Sequence, residues 1–580
     1  PLGLSLEDMQ ADVSLQLPTH HLQKDDPPHL FLAPTNRFIG LVGRDSEMEF
    51  LQDWCGEGKT LSCQVIKGDG GMGKTRLALE FALRLRDGGG WDAGFLYREQ
   101  METLVRHPRF PQWRPVVDTL MIIDYAAWEQ DLLTRLFSRL KDWVENRREG
   151  AQPTVRLLLL ERNASFQETW RPQWISAFQG ANNMFRQLGM EHQVYPLKSL
   201  DGGQPEANQT VVDSVFKSWA ALDEARSAPE LPGPGDLNWD RLMENTQRRP
   251  LYLQLAALHA CETGQPRDMM LWDQGTLLKT AVEREETYLA QICPQTGFQE
   301  MVQRAGALMV FTGPLAPGDP EWTGFLQEEI QDCGFSGQSP GRIGDFLTQW
   351  LTAKPGTDGE LLPLHPDLTA AAFAVTVLGR RPHQQAASLH RVLDWKGQEG
   401  WERLLLAGRD LYGVPGYCWM DRLEALLEKR PKLELVDLAS RLSQPSAALQ
   451  LFKLVLAKKL LERAETLDER ANRWSHLGDY LAALGRREEA LEAALRAKEI
   501  HEDLTRQNPD AFAPNLARSL GNLGNIYSKL SLWDEALTVT KRAVMIREQV
   551  TERNPDAYRI HRSGQVGGCR GGLQAGAGDF

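Results

Sequence analysis

Through residues 37–200, short apolar runs alternate with stretches whose apolar positions recur at helical spacing. Such an alternation is the rhythm of a parallel sheet covered by helices, an α/β domain. Five strands are expected, at Leu61–Ile66, Gly94–Tyr97, Thr119–Ile123, Val155–Leu160 and Gln193–Leu197. After the first strand, Leu77, Ala78, Phe81, Ala82 and Leu85 share one helical face until Gly88-Gly89-Gly90 interrupts it.

The remainder follows different patterns. Residues 1–36 are polar, carry Pro27-Pro28 and Pro34, and read as a linker or disordered arm. Residues 201–290 read as a Gly/Pro-rich connection and then a helical domain. Residues 291–385 mix helical spacing with Gly and Pro, as a small α+β module would, and 386–465 read as a helical connector. Residues 466–560 contain an internal repeat. Asn508-Pro509-Asp510 recurs at Asn554-Pro555-Asp556, Leu477-Gly478 at Leu523-Gly524, and Ala490-Leu491 at Ala536-Leu537, each at an offset of 46. The Gly-rich stretch 561–580 does not continue the repeat; a truncated array, a shifted reading frame or a natural flexible tail would each explain it.

Composition narrows the class. A chain of 580 residues exceeds one hydrophobic core, so several domains are expected. The net charge of −13 argues against a broad nucleic-acid surface. No apolar run has the length of a membrane span, and no signal peptide is read. The seven cysteines, Cys55, Cys63, Cys261, Cys293, Cys333, Cys418 and Cys569, are scattered, without a C-x-x-C pair. Reduced thiols in a cytoplasmic protein are expected, rather than a disulfide framework or structural zinc. The chain starts at Pro1, and a domain further upstream is conceivable.

The sharpest chemical signal is Gly68-Asp-Gly-Gly-Met-Gly73-Lys74-Thr75, which fits G-x-x-x-x-G-K-[ST] between a strand and an amphipathic helix. Gly68, Gly70, Gly71 and Gly73 let backbone N–H groups converge on phosphate oxygens without Cβ clashes, and the helix aims its positive end at them. Lys74 is expected on the β- and γ-phosphates, Thr75 on Mg²⁺, and Arg76 beside them. The run Leu120-Met121-Ile122-Ile123-Asp124 supplies a carboxylate at a strand end, opposite Thr75 on the metal. Read alone, Asp124 could simply cap a strand; the upstream loop favours the metal role. The Gly94–Tyr97 strand, between the two motifs in sequence, is expected to separate their strands in the sheet. The candidate general base is Glu129, but Tyr125, Ala126, Ala127 and Trp128 intervene, so hydrolysis is either slow or absent. Arg162, just past the fourth strand, is either a γ-phosphate sensor or a surface arginine on a turn.

Together these residues resemble the STAND class of P-loop NTPases, relatives of the NACHT and NB-ARC switches, over residues 37–375. Val42-Gly43-Arg44 resembles the element that approaches adenine and ribose, so Val42 and Arg44 are implied there. Arg249-Pro250-Leu251-Tyr252-Leu253 resembles the element whose proline, here Pro250, packs on adenine; Arg248-Arg249 stands where a glycine is common. Leu364-His365-Pro366-Asp367-Leu368 resembles the winged-helix element whose histidine, here His365, reads an ADP phosphate; alone, His365 would be an ordinary surface histidine. Asp124-Tyr125-Ala126 resembles the metal motif of bacterial members. Leu520-x2-Leu523-Gly524-x2-Tyr527 and Trp533-x2-Ala536-Leu537 resemble tetratricopeptide repeats, with a period longer than the usual length of about 34.

The resemblance implies an ASCE-type α/β P-loop domain, then helical and winged-helix-like domains and an all-α solenoid. It implies ATP or ADP with Mg²⁺, a protein or peptide ligand on the repeats, oligomerisation on activation, and a role in bacterial defence or regulation. A catalytically weak nucleotide-binding scaffold and a transcription regulator are the alternatives.

Overall fold

The computed structural model describes residues 15, 17, 22–108, 110–112, 115–126, 130–145, 153–161, 194–200, 205–223, 226–233, 239–316, 318–335, 337–351, 359–442 and 447–553. The chain divides into two compact units, Pro1–Trp419 and Met420–Phe580.

The first unit contains a five-stranded sheet of β1 (Leu61–Lys67), β2 (Trp91–Phe95), β3 (Asp118–Asp124), β4 (Val155–Glu161) and β5 (Val194–Pro196). Its spatial order is β2-β3-β4-β1-β5, with every pairing parallel. The five expected strands are therefore present within a few residues of their predicted bounds. One expectation is corrected: the strand following the phosphate loop lies at the sheet edge, and β4 separates β1 from β3. Burial accounts for the order. Trp91 and Asp92 of β2 remain half-exposed, whereas β4 is buried at every position. The most apolar strand takes the centre, where both faces are covered.

The two faces follow from strand alternation. Leu157 and Leu159 point to one side, with Val65, Met121 and Ile123, under α3 (Arg98–Arg106) and α4 (Gln130–Glu145). Leu158 and Leu160 point to the other, with Ile66, Leu120 and Ile122, under α1 (Asp45–Gly56) and α2 (Lys74–Asp87). The fully buried Arg156 breaks the apolar run of β4 for a local reason. Its guanidinium donates to the carbonyls of Trp54, Cys55, Glu57 and Lys59 at 2.7–3.2 Å, satisfying the C-terminal end of α1.

Residues 28–36, assigned by sequence to a linker, form two 3₁₀ turns, Pro28–Phe31 and Pro34–Asn36, and bury His29, Leu30 and Phe31. The local polarity hid this because the anchors lie far away in sequence: Phe31 meets Trp219, and His29 Nδ1 sits 3.3 Å from Glu285.

Helices complete the unit: α5 (Pro205–Ala221), α6 (Trp239–Asn245), α7 (Pro250–Thr263), α8 (Gln274–Ile292), α9 (Thr296–Thr312), α10 (Pro320–Asp332), α11 (Pro340–Trp350), α12 (Asp367–Gly379) and α13 (Pro382–Asp410). Helices α10 and α11 are framed by an antiparallel bridge, Leu315 to Leu361. Helix α13 kinks at Gly397, whose φ is 52°. It belongs to the first unit, whose limit falls inside the span read from sequence as a connector. A buried charge cluster ties three of these helices together: Glu329 of α10 accepts from Arg304 of α9 and from Ser388 and Arg391 of α13. Gly306 lets α9 approach Trp350, since a Cβ there would lie 2.2 Å from the Trp350 ring. Gly306→Ala is therefore expected to cost about 1–3 kcal/mol, read as a lower denaturation midpoint. An unchanged midpoint would refute the close contact.

In the second unit, α14 (Trp419–Leu427), which begins at the boundary, is followed by α15 (Lys432–Arg441) and α16 (Ala447–Glu462), and then by two helix pairs. These are α17 (Leu467–Ala483) with α18 (Arg487–Gln507), and α19 (Pro509–Lys529) with α20 (Trp533–Arg553). The repeated motifs have local causes. Asn508 caps α19, accepting from the Ala511 N–H at 3.3 Å, with Pro509 at the first helical position. A Cβ on Gly478 would meet the Ala490 carbonyl at 3.2 Å, and one on Gly524 would meet Thr540 Oγ1 at 2.5 Å. So the Gly and Ala motifs that recur mark where paired helices approach most closely. The second copy, Asn554–Asp556, and the tail lie outside the described residues.

Among the described residues no helix is long and apolar enough to cross a membrane, and no cysteine is paired. Burial pushes the Cys55 thiol up to about 12 and Cys63 further up, which makes both poor nucleophiles.

Candidate functional site

The strand–loop–helix unit of β1, Gly68–Gly73 and α2 sets the site. The Gly68 N–H donates to the Glu161 carbonyl at 3.0 Å, tying the loop to the end of β4. Gly71 and Gly73 take φ of 79° and 87°, where an L side chain is strained. Nothing crowds Gly73, so its conformation alone requires glycine, whereas a Cβ on Gly71 would also press Leu251 at 3.0 Å. Lys74 Nζ donates to the carbonyls of Gly68 and Asp69 at 2.5 and 3.1 Å.

The two expected metal residues meet across the sheet. Thr75 Oγ1 donates to Asp124 Oδ2 at 2.8 Å, and the Tyr125 N–H donates to Asp124 Oδ1 at 2.9 Å. Burial raises the Asp124 carboxyl above its ordinary range, against the Lys74 charge and the Thr75 hydroxyl, while the nearby Asp367 carboxylate raises it further. A hydroxyl and a carboxylate converging at this distance form an oxygen donor set suited to Mg²⁺. The open space at Gly73 and the helix N-terminus that follows it fit a polyphosphate.

A cavity of about 730 Å³ opens above this loop, lined by Val42, Gly70, Gly71, Gly73, Lys74, Thr75, Asp124, Pro250 and His365 among others. That size lies in the range of small-molecule sites, about 300–1,000 Å³. The N-terminus of α7 closes one side. The Leu251 N–H donates to the Gly71 carbonyl at 3.2 Å, and Arg249 reaches the Gly70 carbonyl and Asp69 at 3.4 Å. Arg249 thus touches the phosphate loop.

Two expected contact residues have their guanidinium groups engaged by protein. Arg44 is buried, donating to Glu47, the Lys198 carbonyl and the Met72 carbonyl at 2.7–3.0 Å, so it braces the loop through Met72. Arg76 donates to the carbonyls of Pro34 and Ile39 at 2.9 and 2.8 Å and pairs with Glu80, strapping the N-terminal segment onto α2. His365 lies on the cavity wall with Nδ1 3.7 Å from Asp367. Glu129 and Arg162 lie outside the described residues.

The sequence pointed to neither Tyr125 nor Asp367 as a functional pair. Tyr125 follows the metal-side carboxylate with φ 53°, a left-handed conformation that costs a non-glycine residue about 1–3 kcal/mol. Its hydroxyl donates to Asp367 at the start of α12, and the Arg409 guanidinium lies 5.7 Å from its ring centroid. Both residues stand in motifs quoted from the sequence, Asp124-Tyr125-Ala126 and Leu364-His365-Pro366-Asp367-Leu368, but nothing local to either motif pairs them.

No family model matches the chain, and no curated protein matches it. Among solved structures it is similar to Cdc6p from Pyrobaculum aerophilum, at 11% identity and a TM-score of 0.24, over 58% of this chain and 94% of that one. It is also similar to a Signal Transduction ATPase with Numerous Domains (STAND) protein with a tetratricopeptide repeat sensor from Pyrococcus horikoshii. There the identity is 13% and the TM-score 0.19, over 88% of this chain and 85% of that one. TM-scores this low give the likeness no weight for function.

Proposed function

We propose that this chain is a nucleotide-dependent switch that holds ATP or ADP with Mg²⁺ above the Gly68–Thr75 loop. The observation that carries the reading is the 2.8 Å contact of Thr75 with Asp124, set under a glycine loop on which α7 also rests. Loop N–H groups and Lys74 bind phosphate charge, Thr75 and Asp124 hold the cation, and Val42 and Pro250 line the same cavity. Bound Mg²⁺ would neutralise phosphate charge and fix the polyphosphate's geometry.

The switch reading rests on what surrounds the loop. Helix α7 and the segment carrying His365 and Asp367 both border the cavity, so a γ-phosphate alters charge where separate elements meet. A protein or peptide ligand on the repeated helix pairs, read as tetratricopeptide-like, acts by binding one state more tightly than the other. Oligomerisation of the open form and signalling in defence or regulation belong to the same reading.

A second reading, a nucleotide-binding scaffold with little turnover, is favoured by Tyr125 occupying the position directly after Asp124, where a carboxylate base would be close at hand. A steady-state turnover assay separates the two. The main test is to denature the purified chain and identify what it releases. ADP or ATP near one per chain is expected; a chain that carries none and ignores added ATP and ADP overturns the proposal.

A further inference from the structure

We propose that Tyr125 is a positioning residue that couples the cation site at Thr75 and Asp124 to Asp367, so that Mg²⁺ binding and the seating of α12 favour one another. This rests on the nucleotide-binding reading and adds to it the means by which the cation is sensed outside the P-loop domain.

The geometry is a continuous chain of contacts. Asp124 has both carboxylate oxygens engaged, Oδ2 by the Thr75 hydroxyl at 2.8 Å and Oδ1 by the Tyr125 N–H at 2.9 Å. Any cation drawn to Thr75 and Asp124 therefore pulls on an oxygen pair whose other tether is the Tyr125 backbone. That backbone is confined to the left-handed region, so it has few alternative conformations into which to relax without releasing Asp124. The side chain carries the constraint onward. Its hydroxyl donates to Asp367, and its ring lies near the Arg409 guanidinium, a cation–π contact that restrains ring movement. Asp367 in turn stands 3.7 Å from His365.

Electrostatics gives the coupling its sign. The latch holds two carboxylates, Asp124 and Asp367, on one residue, Tyr125, and like charges brought together repel. A divalent cation at Asp124 attracts both and removes that cost. The latched arrangement is therefore favoured when Mg²⁺ is bound, and by reciprocity Mg²⁺ binds more tightly when the latch is made. Tyrosine suits the task because it spans the gap with a rigid ring and ends in a neutral donor, which approaches a carboxylate without adding charge.

The test is a titration of full-length protein with a fluorescent ADP analogue, in excess Mg²⁺ and in EDTA. In the wild type, Mg²⁺ is expected to tighten binding by a factor in the range of about 5–150. Tyr125→Phe removes only the hydroxyl and is expected to lower that factor by about threefold or more, while leaving the EDTA affinity within about twofold of wild type. Asp367→Asn, on the other side of the contact, should do the same, and the double variant should show no further reduction. Amide exchange at residues 367–371 should slow on adding Mg²⁺ to the ADP complex of the wild type but not of Tyr125→Phe. A Tyr125→Phe protein that keeps the full Mg²⁺ factor overturns the latch and leaves nucleotide binding standing. Equal weakening with and without Mg²⁺ also overturns it, since it denotes a general structural role. A wild type that binds no nucleotide overturns the underlying reading as well.

Discussion

Lys74→Ala is expected to weaken ATP and ADP binding by about a hundredfold or more while leaving the fold intact. Its ammonium rests on carbonyls of the phosphate loop itself, from which a short side-chain rotation turns it to a phosphate. Arg44 and Arg76 are held by backbone carbonyls and carboxylates, so neither can replace it without breaking several hydrogen bonds. A charge-assisted contact to phosphate in a partly desolvated cleft is worth about 1.5–3 kcal/mol, and loss of the charge itself adds to this. Stability should change little. The cavity reaches Gly70, next along the loop, so water can replace the ammonium at the Gly68 and Asp69 carbonyls. Isothermal titration beside a thermal melt checks both halves. Affinity within about threefold of wild type would mean that phosphate does not lie at this loop.

The largest stability effect is expected at Glu329→Ala. Glu329 is fully buried, and its carboxylate holds Arg304, itself 2% exposed, together with Arg391 and Ser388. Removing it leaves a guanidinium in the interior without its counter-charge, a change of about 3–5 kcal/mol. Adding Arg304→Met to the same protein should recover part of that stability, since the stranded charge goes with it. Chemical denaturation reads both. A single variant within about 1 kcal/mol of wild type would show that water reaches the cluster.

The sheet was legible because strand period and burial agree. Leu157 to Leu160 fill two opposite cores in alternation, so a continuous apolar run could only be a central strand. The phosphate loop was legible because its chemistry is local: glycines at positive φ, a lysine and a hydroxyl within one helical turn. Strand order was not, since which strand neighbours β1 depends on packing between residues far apart in the chain. The same holds for the site's outer wall. Tyr125 and Asp367 meet across 242 positions, and Arg76 turns away from the loop only because the Pro34 and Ile39 carbonyls are there to receive it. Residues 28–36 look like a linker by composition, yet bury Phe31 against Trp219. Sequence reads what a residue can do; whether its groups remain free to do it is decided by distant partners.

The Arg76 strap has a practical consequence. The residue that fastens the segment from Pro34 to Ile39 is the immediate neighbour of Thr75, so both hang from the first turn of one helix. Trimming the protein to residue 40, as the polar composition of its opening invites, would strip a wall from the cavity and take the Pro34 and Ile39 carbonyls from Arg76, leaving its pairing with Glu80. Minimal versions made that way would report the chemistry of an altered pocket, and a tether placed ahead of Pro28 would tug on the helix that carries Thr75.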